Sequence, residues 1–570
     1  MTENKDLDAE INTLRNEEVR KQDLIDISKR KKISFKNLTR FRQLSRWRTA
    51  ALFLVLFICL VVVFAFSFII PCPVRPVSQR TWNTKFEDAV TYPLITLWDV
   101  NKDKVTDVLF AFKDMNSSNI NGLCITEGLS FPCASVAVLS GTNGSLLWQR
   151  GLEEDIQHVQ CGIEKLGGEE ESSGCLIIGQ LQLITAVDSY TGETLWKLNM
   201  SFATSVSVMG PALILPDLDG DDVEDFLIFF RSHQQVGSVM ELILLLLSGR
   251  SGNPIGQLVH HNTSQGFVHF SPLVHITNTG VYYVLFIQGT VQGMALRDLY
   301  AKATGTQPQG SNLNQGLLKS DPEWEKMTDQ DSRQIEIYRS RTAHYLQRVH
   351  VLGNNAGKLL ISTSNMIELL DGQNLQTIWS RNTTQIRCPP VPGYFNNDGV
   401  FDFLIEDVIE KDRKKVIIVD GNSGKTLWEV ELMFSENSPQ ASSVNTMSRS
   451  TFLFWGELAT ETNSSVIADF TLKKQYLYMV HPSHPSIILE LSNSTENVVA
   501  FTTALFERSR HACNVLLKGQ SVGSEPGTVS ITKQNLKEAI NLSTVRRLKG
   551  NDDFSDEEIK QYFYRMRYSS

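Results

Sequence analysis

Outside one apolar run near its start, the chain has no sustained helical pattern before residue 550. A helical bundle is therefore excluded. No HExxH and no glycine-rich phosphate loop is present. Metalloprotease and P-loop chemistry lose their usual sequence carriers. No CxxC pair offers zinc spacing. Positive charge is short over residues 71–570, which hold 41 basic against 55 acidic side chains, a net −14. Nucleic acid is not expected as a partner of such a surface.

Charge is absent altogether from Ala50 to Ile70, AALFLVLFICLVVVFAFSFII, where Ser67 is the only polar side chain. As a helix these residues span about 31 Å, the thickness of a bilayer's hydrocarbon core. Acidic residues are absent from Lys29 to Arg48, which carries nine basic ones. Positive charge beside a span stays in the cytoplasm. The expectation is a signal anchor with a cytoplasmic N-terminus and an exterior C-terminal portion. A cleaved signal peptide would be shorter, nearer the start and end in small residues. Residues 1–49 read as a disordered cytoplasmic tail, basic near the membrane, where the basic stretch could also meet anionic lipid. Residues 71–84, with three prolines, read as a stalk. Asn-x-Ser/Thr acceptors fall at Asn116, Asn143, Asn199, Asn262, Asn382, Asn463, Asn493 and Asn541, against one, Asn37, before the span. That distribution agrees with the charge rule.

From about residue 81, apolar β-branched runs of four to seven residues alternate with Gly, Asn, Asp and Ser clusters. Many short strands are expected, and so an all-β ectodomain over 85–545. One form recurs: VLSGTNGSLLW ending at Trp148, AVDSYTGETLW at Trp196 and IVDGNSGKTLW at Trp428. LLDGQNLQTIW, ending at Trp379, lacks the glycine, and LLSGRSGNPIG lacks the Trp. The spacing of 48 or 49 residues predicts β-propeller blades of four strands, seven or eight in number. Gly144, Gly192, Gly252 and Gly424 supply positive φ in the hairpins. The Trp side chains are expected between neighbouring blades. Residues 301–345, polar and turn-rich, read as an insertion. FSDEEIKQYFYRMRY (554–568), within a terminal segment 546–570, reads as a helix with Ser555 and Glu558 as capping box and Phe554 and Ile559 as staple.

The eight cysteines place Cys59 in the span and Cys72 beside it. Cys124 with Cys133, and Cys161 with Cys175, are spaced to close loops outside the cytosol. Cys388 and Cys513 either pair with each other or stay as thiols. His260 and His261 would face opposite sides of a strand. His481 and His484 flank a Pro turn and read as surface residues.

DLDGDDVEDF places Asp217, Asp219, Asp221 and Asp225 at positions 1, 3, 5 and 9 of a turn. A hard cation such as Ca²⁺ takes six to eight oxygens, and alternate carboxylates can aim several at one point. Ile228 stands where an EF-hand needs Glu, so this is a loop between strands. Asp99, Asn101, Asp103 and Asp107 form a weaker copy, with Lys102 and Lys104 against it. YFNNDGVFDF keeps Asn396, Asp398 and Asp402 but opens on Tyr394. The competing reading is a turn whose side chains bond their own backbone.

These loops resemble the FG-GAP repeats of integrin-alpha propellers. The whole plan of tail, anchor, IIPCPVRPVSQRTW, Asp loops, FLFWGEL and SRHACNVLL is similar to the family with sequence similarity 234. That resemblance implies a single-pass type II cell-surface protein with a propeller ectodomain and no established catalytic residue. The function expected is non-enzymatic protein–protein interaction at the plasma membrane, as an accessory subunit of a multi-span membrane protein. The alternatives are a quinone-dependent dehydrogenase propeller, which AVDSYTGETLWKL also resembles, and a structural spacer.

Overall fold

The computed structural model describes residues 46–69 and 81–569, apart from 116–122, 170–171, 199, 201, 203–204, 233–239, 264–269, 289, 309–314, 341, 352–353, 459–473, 507–510 and 549–553. It divides into two units, Met1–Val77 and Ser78–Ser570. The tail up to residue 45, most of the stalk, Cys72, Asn37, Asn116, Asn199 and Asn463 lie outside the described residues.

In the first unit the apolar run is one α-helix, Arg46–Ile69. Every side chain described over residues 50–62 is exposed. Among the described residues no helix is long and apolar enough to cross a membrane.

The second unit is built of antiparallel strands in chain order, each four-strand meander leading into the next. Central strands such as Asp225–Ser232, DFLIFFRS, are buried on both faces. They read as continuous apolar runs because a neighbouring sheet covers each side. Outer strands alternate: Thr426–Met433 buries Trp428, Val430 and Leu432 and exposes the residues between. The core is accordingly divided. One apolar cluster joins Val136, Trp148, Val159 and Ile177 of successive sheets. The next joins Leu176, Trp196, Phe226 and Ile243. The series ends where Val515 and Ile531 of the last sheet pack on Phe110 and Ala137 of the first. This is a propeller-like ring.

The ring closes through one strand, Trp82–Trp98. Its first half pairs with the late strand Gly527–Asn535, from Trp82 opposite Lys533 to Ala89 opposite Gly527. Its second half pairs with Asp107–Asp114 and opens the first sheet. The strand thus begins three residues inside the expected stalk.

Inner strands are stitched by side chains to the next main chain. Thr96 Oγ1 donates to Val159 O at 2.9 Å. Gln160 Nε2 donates to Ala212 O at 3.0 Å and its Oε1 accepts from Ala212 N at 2.9 Å. Gln347 Nε2 donates to Pro390 O, and Ser443 Oγ to Pro392 O.

The tryptophans do lie between sheets, and each is held by its neighbour's hairpin. Trp148 Nε1 donates to Ser189 O (2.8 Å), Trp196 to Gly249 O (2.9 Å) and Trp379 to Gly421 O (3.0 Å). Trp82 does the same across the closure, to Gly141 O at 3.1 Å. The hairpin glycines lie under these rings. A Cβ on Gly144, Gly192, Gly252 or Gly424 would sit 2.4–2.8 Å from Trp82, Trp148, Trp196 or Trp379 respectively. Space, as well as positive φ, demands glycine there.

The segment expected as an insertion holds the helices Leu296–Thr304, Gln315–Leu318 and Pro322–Met327, then an outer strand, Gln334–Tyr338. It is anchored: Trp324 is fully buried and its Nε1 donates to Gln373 O. The facing hairpin has Leu375 at φ 59° where the others have glycine, packed against the cluster that holds Trp324.

Cys124–Cys133 and Cys161–Cys175 are disulfides, the second joining residues directly opposite across a ladder. Cys388 and Cys513 form no disulfide with each other. The terminal helix is Asp556–Tyr564, shorter than expected, with the Ser555–Glu558 capping box formed. Ile559 and Phe563 enter the core, with Met566 packed against it, while Phe554 stays 54% exposed. An unforeseen helix, Leu536–Leu542, and strand, Thr544–Arg547, precede it.

Two tests follow from this packing. Gly144→Ala combines left-handed strain with a collision on Trp82 and is expected to cost about 2–4 kcal/mol. Gly220→Ala, with φ 85° and nothing within 4 Å of the added Cβ, is expected to cost about 1 kcal/mol. Urea unfolding of both variants checks the contrast. The second test concerns His275, which is fully buried; its Nε2 meets Gly372 O at 2.8 Å and its ring stacks on Trp324. Burial lowers its pKa from 6.5 to about 4. A depressed folded value means full stability above about pH 6.5, lost as pH falls toward 4. Between pH 7 and pH 5 the loss is about 2 kcal/mol. Asp107 and Asp225, raised by burial to about 6 and about 7, act with the opposite sign. His275→Gln isolates the histidine: its stability gap to wild type should shrink by that amount at pH 5.

Candidate functional site: the acidic loops

The acidic loops join the first and second strands of their sheets, and the glycine hairpins join the third and fourth. In an antiparallel meander these connections share one end. The Asp at position 9 ties them together. Asp225 is fully buried; its Oδ2 accepts from Leu218 N at 2.6 Å and its Oδ1 from Gly249 N at 3.0 Å. Asp107 accepts from Val100 N and Asn101 N with one oxygen and from Gly141 N with the other. Asp402 repeats this with Phe395 N, Asn396 N and Gly421 N. Gly141, Gly249 and Gly421 are the residues whose carbonyls receive the Trp82, Trp196 and Trp379 indoles. Each position-9 carboxylate therefore sets the turn on which an inter-sheet Trp is anchored.

The first glycine of each hairpin was not read from the sequence. A Cβ on Gly141, Gly249 or Gly421 would lie 1.8–2.0 Å from the carbonyl oxygen of Thr106, Glu224 or Phe401, the residue before the position-9 Asp. The detectable signal was a paired G-x-x-G accompanying each acidic loop. The hairpin ending at Trp196, whose sheet has no such loop, carries Ser189 at that place.

The other carboxylates of the Asp217 loop also bond its turn. Asp217 Oδ1 accepts from Gly220 N at 2.6 Å and its Oδ2 from Asp222 N at 2.9 Å. Asp221 turns to Val223 N and Ser248 Oγ. Ligand oxygens of Asp217, Asp219 and Asp225 lie within 4.8 Å of one another, the only such group of His, Cys or acidic residues among the described residues. Asp221 stands outside it. Burial raises the pKa of Asp219, and the neighbouring Asp221 and Asp217 add to it. The extra charge of Asp222, at φ 66°, is met by Lys165 Nζ at 2.6 Å.

In the second loop Asp99 accepts from Asp103 N and Lys104 N, and Asp103 from Val105 N and Thr142 Oγ1. These are turn-forming bonds, and Asp99, Asp103 and Asp107 do not converge as the first set does. In the third, Tyr394 stacks on Phe401 at 4.6 Å where a carboxylate would stand. Asn396 Nδ2 bonds Asp398 and Asp420. Three oxygens within 4.8 Å of one another fit the 2.3–2.6 Å shell of Ca²⁺. Only the Asp217 loop passes this test.

Of the glycosylation acceptors, Asn143, Asn382, Asn493 and Asn541 are exposed, and Asn262 lies in the strand Val259–Thr263. His260 Nδ1 meets Glu241 and His261 Nδ1 meets Gln334, on different neighbours as alternation requires. His481 is 5% exposed, which corrects its reading as a surface residue: the C-terminal helix covers it.

The structural role of the position-9 Asp predicts its mutational cost. Asp107→Ala, Asp225→Ala and Asp402→Ala each orphan at least two backbone N–H groups and should cost about 2–4 kcal/mol. Asp221→Ala, on a part-exposed turn, should cost under about 1 kcal/mol. Thermal melts in chelator separate the two classes.

Comparison with known proteins follows the same architecture. Protein FAM234A of Rattus norvegicus is 38% identical over 574 residues, covering 100% of both chains. Protein FAM234B of Gallus gallus is 32% identical over 535 residues, 91% of this chain and 83% of that one. A solved quinohemoprotein alcohol dehydrogenase from Comamonas testosteroni shares 10% identity over 80% of this chain and 76% of its own, with a TM-score of 0.45. That likeness is too slight to argue from. The FAM234A/B beta-propeller family matches residues 82–569. From the strand that closes the ring to the residue before the C-terminus, this chain is a member of the FAM234 family, on the side of member A.

Proposed function

We propose that the protein is a non-enzymatic, single-pass type II glycoprotein of the plasma membrane, its N-terminus cytoplasmic, whose propeller binds another protein. The observation that carries this reading is the charge-free run Ala50 to Ile70 behind nine basic residues; the described part of its helix falls short of a full span but exposes Leu52, Phe53, Leu54, Phe57 and Leu60 by half or more. Such a surface is unfavourable in water and at home in lipid. The basic flank before it sets the direction, and the exposed acceptors after it agree. We read the ring as eight blades, a count supported by the eight apolar clusters among the described residues, each shared by consecutive sheets, the last returning to the first. A ring so stapled holds its loops at fixed positions, which suits recognition of a protein surface such as a multi-span membrane partner. Calcium at Asp217, Asp219 and Asp225 would rigidify one end of that surface.

Protease added to intact cells should degrade the 78–570 portion and leave the tail. N-glycosidase should shift the mobility of the full chain, and Asn143, Asn382, Asn493 and Asn541 mutated together should reduce that shift. A protected ectodomain without sugar contradicts the topology. Calorimetry with Ca²⁺ should show heat that Asp219→Ala removes; equal heat from both proteins dismisses the site.

A further inference from the structure

The turn His481-Pro-Ser-His-Pro485 joins the strands Gln475–Val480 and Ile487–Ser494. The C-terminal helix Asp556–Tyr564 lies on it through aromatic rings. His484 meets Tyr562 at 4.5 Å, Phe563 at 5.7 Å and Phe554 at 5.8 Å; His481 meets Phe563 edge-on at 6.4 Å. Ser483 N donates to His481 Nδ1 at 3.2 Å, so the neutral ring carries its proton on Nε2. That Nε2 has no acceptor.

A second proton on His481 would have to displace the Ser483 bond. Its surroundings offer no compensation. The charged groups that act on His481 are Arg449, from the turn between the first two strands of the sheet, and His484, from its own turn. Both repel a cation. The helix brings Phe563, whose ring stands almost perpendicular to the imidazole. The helix is otherwise tied at its start by Arg547 to Asp556 at 2.7 Å, and by Ile559 and Phe563 in the core.

We propose that the C-terminal helix is a proton-released clasp: acidification toward pH 5 charges His481, unseats the helix from the His-Pro turn and uncovers Ile559, Phe563 and the sheet beneath. At neutral pH the turn and helix form one apolar contact. In an acidic compartment the same contact encloses a cation beside Arg449. Burial, the main cause, lowers His481 from 6.5 to about 4 while the helix is seated. The seated state therefore binds fewer protons, and its advantage falls as pH drops. Between pH 7 and pH 5 the seating equilibrium weakens about 20-fold for this one residue.

Hydrogen exchange by mass spectrometry on the full-length protein in detergent tests the clasp. After correction for intrinsic rates, amides of 554–566 should lose about 20-fold in protection between pH 7 and pH 5. Amides of Gln475–Val480 should not. His481→Asn keeps an acceptor for Ser483 and should hold the helix change to less than about threefold. Full protection of the wild-type helix at pH 5, or an equal loss in the variant, overturns the proposal. The wild type also suffices alone: proton NMR showing His481 titrating above pH 6 in the folded protein overturns it as well.

Discussion

The Gly141 main chain is the joint on which the ring depends. Its N–H donates to Asp107, and its carbonyl accepts from the Trp82 indole and from Lys533 Nζ at 2.6 Å. Trp82 and Lys533 face each other across the ladder that joins the chain's early and late strands. Lys533 is 1% exposed and also lies over the Phe506 ring. One peptide unit of the first sheet is thus gripped by both strands of the last. An unsatisfied carbonyl, ammonium or indole at that depth would each be costly, so the three are satisfied together or not at all.

The same device, without the lysine, recurs at other junctions. A carboxylate at position 9 of an acidic loop fixes a glycine turn, and that turn receives the previous sheet's Trp. This gives the acidic loops a structural purpose independent of any ion. Cation binding at Asp217, Asp219 and Asp225 would then act on a joint already made, since Asp225 bonds Gly249 and Gly249 bonds Trp196. A ligand there changes the rigidity of one inter-sheet contact without redrawing the fold.

Much of this was legible in the chain. The Trp-bearing hairpins at 48–49 residues announced the blades because each blade repeats one local solution. The disulfides Cys124–Cys133 and Cys161–Cys175 were legible because their loops are short. What escaped was non-local. Trp82 shows no hairpin before it, since its ladder partner, Lys533, lies 451 positions away. Trp324 sits in a polar, turn-rich stretch, so its burial under the Gln373 hairpin is a tertiary fact. Leu375 departs from the glycine rule at positive φ and packs on the cluster that holds Trp324, which no local pattern announces. His481 looked like a surface residue because Pro turns usually are; the helix that starts 75 residues later covers it. The acidic loops were visible as a pattern, but which carboxylates converge depended on the turn bonds each one makes.

Closure by the Trp82 strand is the claim tested most directly by comparing the secreted fragment 78–570 with fragment 90–570 in urea. The account predicts one cooperative transition for the first. The second, lacking Trp82 and the strand that pairs with Gly527–Asn535, should lose several kcal/mol and unfold over a broad range. Equal midpoints and equal steepness for the two fragments would contradict it.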